Sequence, residues 1–233
     1  MSSNKKTVIC LSTGRSGTNF LKSWFDQNPN FNSFGEIYPK WHMFHSAIKK
    51  CGLEITDDRK NFSLKNLYDL EQKVHEKEKY FYYKVFYDHL VQYSQNELEE
   101  IFKNRKVIHL IRRNPLETYY SNRVAKKTEI WKLENDARNE LQIIEINRKK
   151  FDIWFNKKQK QILFYSDFLR DINSTLVLYY QKNGFEEYIN KNLSLFLETD
   201  FTFHAKLKKQ NIFKLSEVIS NYEEFIDVDK ELF

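Results

Sequence analysis

The stretch VICLSTGRSGTNFLKSW, residues 8–24, decides how this chain folds. It opens with four apolar, β-prone residues, passes through a Ser/Thr/Gly loop, and continues with the spacing of an amphipathic helix. A strand that breaks at Gly14 and restarts as a helix near Gly17 turns several backbone N–H groups into one concavity. The helix macrodipole adds about half a positive charge at that end. Glycine lets the backbone turn sharply and come close to a ligand. Arg15 adds a fixed cation, and Ser16, Thr18 and Asn19 add short hydrogen-bonding side chains. Thr13 through Asn19 are therefore read as an anion cradle rather than as a turn alone. The loop lacks the lysine that a kinase or ATPase sends to the terminal phosphates of its nucleotide, which weakens a triphosphate reading.

Outward from this loop, short β-branched and aromatic runs recur at Thr7–Leu11, Tyr80–Phe86, Lys106–Ile111 and Gln161–Tyr165, with a weaker one at Ser33–Ile37. Helix-period segments separate them. Ser94 is positioned as an N-cap for QNELEEIF, and Asn114-Pro115 reads as an N-cap with proline at the first helical position. NELQIIEINRKKFDIWF sets Leu141, Ile144, Phe151 and Phe155 on one stripe of an expected long helix. Alternating strands and helices predict a single α/β domain spanning 1–233, with a central, mostly parallel sheet flanked by helices in three layers. In such sheets ligands bind at the carboxyl ends of the strands, where the opening loop lies.

Composition bounds the partners. The chain has 233 residues, 41% apolar and 16% aromatic, enough for one full core and too ordered for a disordered chain. Thirty-eight basic against 32 acidic residues leave +6, an excess that dispersed solvated lysines account for. Cys10 and Cys51 are too few for a disulfide framework and have no metal-ligand spacing, so no metal is expected. No apolar run reaches membrane-spanning length, and the four-residue apolar start is too short for a secretory signal. The expectation is a soluble, cytoplasmic protein.

A second segment, KVIHLIRRNPLETYYSNRVAKKTEIW at residues 106–131, repeats the design. An apolar strand ends in Arg112-Arg113, and Asn114-Pro115 opens a helix that carries Ser121 about two turns, ~10 Å, further on. Arg113 reaching along that face converges with the Ser121 hydroxyl on one phosphate. Two anion sites at strand ends imply a ligand with two separated phosphate-like groups.

At these residues the chain resembles a known family. STGRSGTNFL is similar to the 5′-phosphosulfate loop of the sulfotransferases, and IRRNPLETYYS to their 3′-phosphate segment, in which an arginine precedes a serine by eight positions, as Arg113 precedes Ser121. GRSGT, the later Gly35-Glu36 and the RRN…S…A…T…W series of Arg112–Trp131 occur in the order found in the bacterial carbohydrate branch, the nodulation-factor and glycolipid type. Fainter similarity runs through YYKVFYDHL, FYSDFLRDINSTLVLYYQKNGF and LKKQNIFKLSEVISNYEEF. The resemblance implies 3′-phosphoadenosine 5′-phosphosulfate as donor, no metal, and an acceptor hydroxyl, with a carbohydrate or glycolipid favoured. Small alcohols and peptide tyrosine stay open as acceptors.

The same resemblance assigns roles. Arg15 stands where many relatives carry lysine, and Lys84 matches a lysine that supports charge on the leaving oxygen. Phe20 takes a position near the adenine, although its helical setting equally suits core packing. Glu36 matches an acidic residue that serves as base, a role that burial beside Phe34, Ile37 and Tyr38 favours. The rival base is His89, which follows the strand lysine by five positions where relatives use two. His42 and His45 are weaker candidates, and His109 reads as core. Lys208 and Lys209 fit a basic loop closing over the 3′-phosphate, or a solvated pair. Acceptor contacts are expected from 38–65 and 126–150, with Tyr38, Trp41 and Trp131 suited to stacking on a sugar or to packing. Two other classes fit parts of the sequence: a phosphate-loop nucleotide kinase, and a nucleic-acid or anion-binding module.

Overall fold

The structure is a computed structural model that describes residues 7–36, 64–76, 80–130, 141–172, 174–180, 184–204 and 213–230. Five strands, β1 (Thr7–Ser12), β2 (Phe31–Glu36), β3 (Tyr80–Phe86), β4 (Lys106–Arg112) and β5 (Thr175–Tyr180), form one sheet in the order β2-β3-β1-β4-β5. Every neighbouring pair is parallel. All five carboxyl ends therefore share one edge, and that edge gathers the loops that matter.

Alternation along the strands builds the layers. Val8 and Cys10 of β1 face one side, where α1 (Thr18–Gln27) and α7 (Phe185–Leu197) pack through Leu21, Trp24, Phe25, Ile189 and Leu193. Ile9 and Leu11 face the other, against α2 (Leu64–His75), α4 (Gln95–Phe102) and α6 (Arg148–Arg170). The short α3 (Tyr87–Leu90) continues β3 on this side. A third cluster joins α5 (Pro115–Thr128) and the start of α6 to the C-terminal α8 (Leu215–Val218) and a 3₁₀ turn at Tyr222–Phe225. The expected three-layer α/β fold is thus present. No helix among the described residues is long and apolar enough to cross a membrane.

Local signals set the helix starts. Ser94 and Glu97 form a capping box on α4, and Asn114 Oδ1 accepts from the Glu117 N–H at 2.8 Å ahead of Pro115 on α5. Two readings of the sequence are corrected. Gln161–Tyr165 lies inside α6, where Ile162, Tyr165, Phe168 and Leu169 meet the core at helical spacing, and YSDFLRD continues that helix. The fifth strand is Thr175–Tyr180, paired to β4 along its whole length. The long helix also starts later than the stripe at Leu141 and Ile144 suggested. Asn147 caps it, while Ile144 forms a parallel bridge with Ile219 and Ile146 exchanges hydrogen bonds with the Asn221 side chain. Leu141 is exposed.

His109, inside β4, is fully buried with its Nε2 2.6 Å from the Tyr87 hydroxyl, as its reading as core requires. Burial pushes its imidazolium down from 6.5 to about 4. The unfolded chain then binds the proton first as pH falls, so stability is full above pH 6.5 and declines toward pH 4. Wild-type stability should fall by about 3 kcal/mol from this group across that window. Urea unfolding at stepped pH should show a correspondingly shallower acid slope in His109→Gln.

Candidate functional site

The site is built on the sheet's carboxyl edge. After Ser12, whose hydroxyl donates to the Leu110 carbonyl at 2.6 Å, the chain leaves β1 and turns through Thr13–Gly17 into α1. Two residues of this turn have left-handed backbone, Arg15 at φ 68° and Gly17 at φ 84°. For arginine that conformation costs roughly 1–2 kcal/mol, so the surroundings must hold it. Gly17 has a second reason to be glycine: a Cβ there would lie 2.2 Å from Cδ2 of Tyr180, the last residue of β5. At Gly14 a Cβ would meet nothing, so the loop opens to solvent on that side.

α1 carries no acidic residue in its first turn and no side-chain cap, whereas α4, α5 and α7 all have glutamates there. No carboxylate in its own first turn offsets the dipole of α1. Among the described residues the Ser16 hydroxyl is buried and meets no hydrogen-bond partner, a deficit of about 1–3 kcal/mol.

The second segment arrives at the same place. Arg15 Nε donates to Ser121 Oγ at 3.0 Å, joining residues 106 positions apart. Arg112 donates from Nη1 to the Arg15 carbonyl at 2.8 Å and pairs through Nη2 with Glu117 at 3.0 Å, its guanidinium 4.9 Å from the Tyr180 ring centre. Arg113 lies over Tyr179, 4.5 Å from its ring centre. Burial first, then repulsion from Arg112, pushes the Arg15 guanidinium down from 12.5 to about 10. A negative group close by would favour the charged form of Arg15 against both effects. The hydrogen-bond partner of Ser121 is thus Arg15 of the first loop, and the two anion segments expected to sit apart share one mouth.

On the opposite flank stands Lys84. It is 4% exposed, donates from Nζ to Asn19 Oδ1 at 2.8 Å, and lies 5.9 Å from the Phe86 ring centre. Burial holds it below the ordinary lysine value, with Glu36 across the sheet opposing. Glu36 is the register partner of Lys84 at the end of β2, past a bulge that begins at Ser33. His89 sits on α3 with its Nδ1 accepting from the Phe86 N–H at 3.3 Å. Phe20 packs between Phe185 and Phe203, 5.4 Å from each ring centre. A cleft of about 300 Å³ beside the mouth is lined in part by Asn114, Glu117, Tyr180, Lys214, Tyr222 and Asp229. Ile37, Tyr38, Trp41, His42, His45, Cys51, Trp131, Lys208 and Lys209 lie outside the described residues.

The sequence reading passed over Tyr180, Glu117 and the part played by Arg112. Glu117 and Arg112 were visible as an opposite-charge pair at the start of α5. Tyr180 was hidden because its strand was placed elsewhere.

No family model matches the chain, and no curated protein matches it in sequence. Among solved structures, it is similar to the sulfotransferase domain from the curacin biosynthetic pathway, at 15% identity and TM-score 0.55, over 83% of this chain and 74% of that one. It is also similar to a sulfotransferase from Alicyclobacillus acidocaldarius, at 11% identity and TM-score 0.49 over 94% and 88% of the two chains. A shikimate kinase from Acinetobacter baumannii matches at 12% identity and TM-score 0.42 over 82% and 93%. The first likeness shows the fold: the α/β architecture of a sulfotransferase domain.

The two loop glycines should separate in stability. Gly17→Ala meets both the left-handed backbone and the Tyr180 ring and should cost about 1–3 kcal/mol. Gly14→Ala enters open space and should stay within about 0.5 kcal/mol of wild type. Urea unfolding of both variants checks the contrast.

Proposed function

We propose that this protein is a sulfotransferase that moves the sulfuryl group of 3′-phosphoadenosine 5′-phosphosulfate to an acceptor hydroxyl. The observation that carries this reading is the meeting of Arg15 with Ser121 at 3.0 Å. The start of α1, with its buried Ser16 hydroxyl, and α5, which carries Ser121, meet there, and Arg113 lies just ahead of α5. The two segments that the sequence resemblance assigns to the two ends of one donor are therefore in contact. The missing loop lysine argues against a kinase, and the likeness to a sulfotransferase domain in fold agrees with the reading.

In this reading the Thr13–Asn19 loop takes the 5′-phosphosulfate, and Arg113 with Ser121 takes the 3′-phosphate. Lys84 and Arg15 stabilise the charge that grows on the bridging oxygen as the sulfur–oxygen bond to the donor breaks. A new sulfur–oxygen bond forms to the acceptor, whose proton passes to Glu36, and adenosine 3′,5′-bisphosphate leaves. Glu36 is preferred to His89 as base because it stands beside Lys84, whereas His89 Nδ1 is engaged by the backbone of its own turn. A carbohydrate or glycolipid hydroxyl is the proposed acceptor, following the sequence resemblance.

Thermal shift separates the reading from its rivals. Adenosine 3′,5′-bisphosphate should raise the melting temperature selectively; at 100 times its dissociation constant the gain is about 2.7 kcal/mol. A larger shift with ATP and magnesium would instead mark a kinase, and one with an oligonucleotide that vanishes in salt a nucleic-acid binder. With radiolabelled donor and a glycan panel, Glu36→Gln should lose turnover by about 100-fold or more while keeping bisphosphate affinity. Full turnover in that variant would remove Glu36 as the base.

A further inference from the structure

Arg112 makes three contacts, with three different segments. Its side chain is 7% exposed, and its two terminal nitrogens reach the Arg15 carbonyl and the Glu117 carboxylate. Its guanidinium lies on the Tyr180 ring, and that ring presses against Gly17. Backbone pairing fixes Arg112 opposite Tyr180 at the ends of β4 and β5. We propose that Arg112 is the positioning residue of the anion loop: it ties the Arg15 carbonyl to the rigid end of the sheet.

Three physical points lead there. The left-handed backbone of Arg15 is held by its surroundings, and the Arg112 fork supplies a charge-assisted hydrogen bond to that same residue's carbonyl. Glu117 anchors the fork from α5, so two nearby guanidinium groups stay together despite the repulsion that lowers Arg15. The contacts also close a ring. The Arg15 carbonyl is held by Arg112, Arg112 by Glu117, and Ser121, one turn further along α5, by the Arg15 side chain. Displacing one loop therefore displaces the other, which couples the two ends of the mouth. Lysine, a point charge on a flexible stem, cannot span the carbonyl and the carboxylate as the fork does.

The loop geometry stands on these contacts, while its consequence for binding rests on the bisphosphate-donor reading. Hydrogen exchange of the full chain without ligand tests the first. In Arg112→Lys the amides of residues 14–18 should exchange about tenfold faster, with the interior of β3 and α7 unchanged. Glu117→Gln, which keeps Arg112 but loosens its anchor, should move the same amides in the same direction by less. Calorimetry with adenosine 3′,5′-bisphosphate should show about tenfold weaker binding to Arg112→Lys. Loop exchange equal to wild type overturns the proposal. So does acceleration spread evenly through the sheet, the mark of a residue that only supports the fold. If the loop responds as expected but wild type fails to bind bisphosphate, the positioning role stands and the donor reading falls.

Discussion

The structure depends on keeping two half-buried arginines together at the end of a parallel sheet. Burial first, and repulsion from Arg112 second, hold Arg15 below the ordinary guanidinium value. Both stay because each is tied elsewhere, Arg112 to Glu117 and the ring of Tyr180, Arg15 to Ser121. A low-dielectric wall of aromatic side chains makes the field of both charges count for more than it would in water. Backbone strain, helix dipole and positive charge thus coincide at the loop. None of the three alone distinguishes it from an ordinary loop.

The rest of the fold serves that edge. Central strands buried on both faces need apolar residues at every position, and β1 has its four, Val8 to Leu11, all buried. Parallel pairing then brings every strand's exit to the same side. Away from the mouth, Arg105 donates twice to Glu71 at 2.6 and 2.7 Å and twice to carbonyls at the end of α4, a buried fork that locks α2 against α4. The molecule therefore uses one arginine fork to brace its body and another to brace its loop.

Much of this was legible in the chain because the signals are local. The apolar run before Ser12, the glycine pair, the Ser94 capping box and the Asn114-Pro115 start each act within a few residues. What misled was composition where the partner decides. QILFY has strand-like residues, yet its core-facing positions recur every three or four, and α6 takes them. TLVLYY becomes a strand because β4 offers it a ladder. Leu141 to Ile146 has a helical stripe, but Ile219 and Asn221, more than 70 residues later, bind that backbone in extended form.

By itself, then, the sequence determined the class of fold, the strand–loop–helix turn after β1 and the basic and hydroxyl residues along it, since helix starts, glycine turns and alternating burial are short-range effects. Only the tertiary structure decided that Arg15 meets Ser121, that the Tyr180 ring adds a second constraint on Gly17, and that Arg112 reaches the Arg15 carbonyl. Those contacts join strand ends that are distant along the chain, and only the strand order of the sheet makes them neighbours.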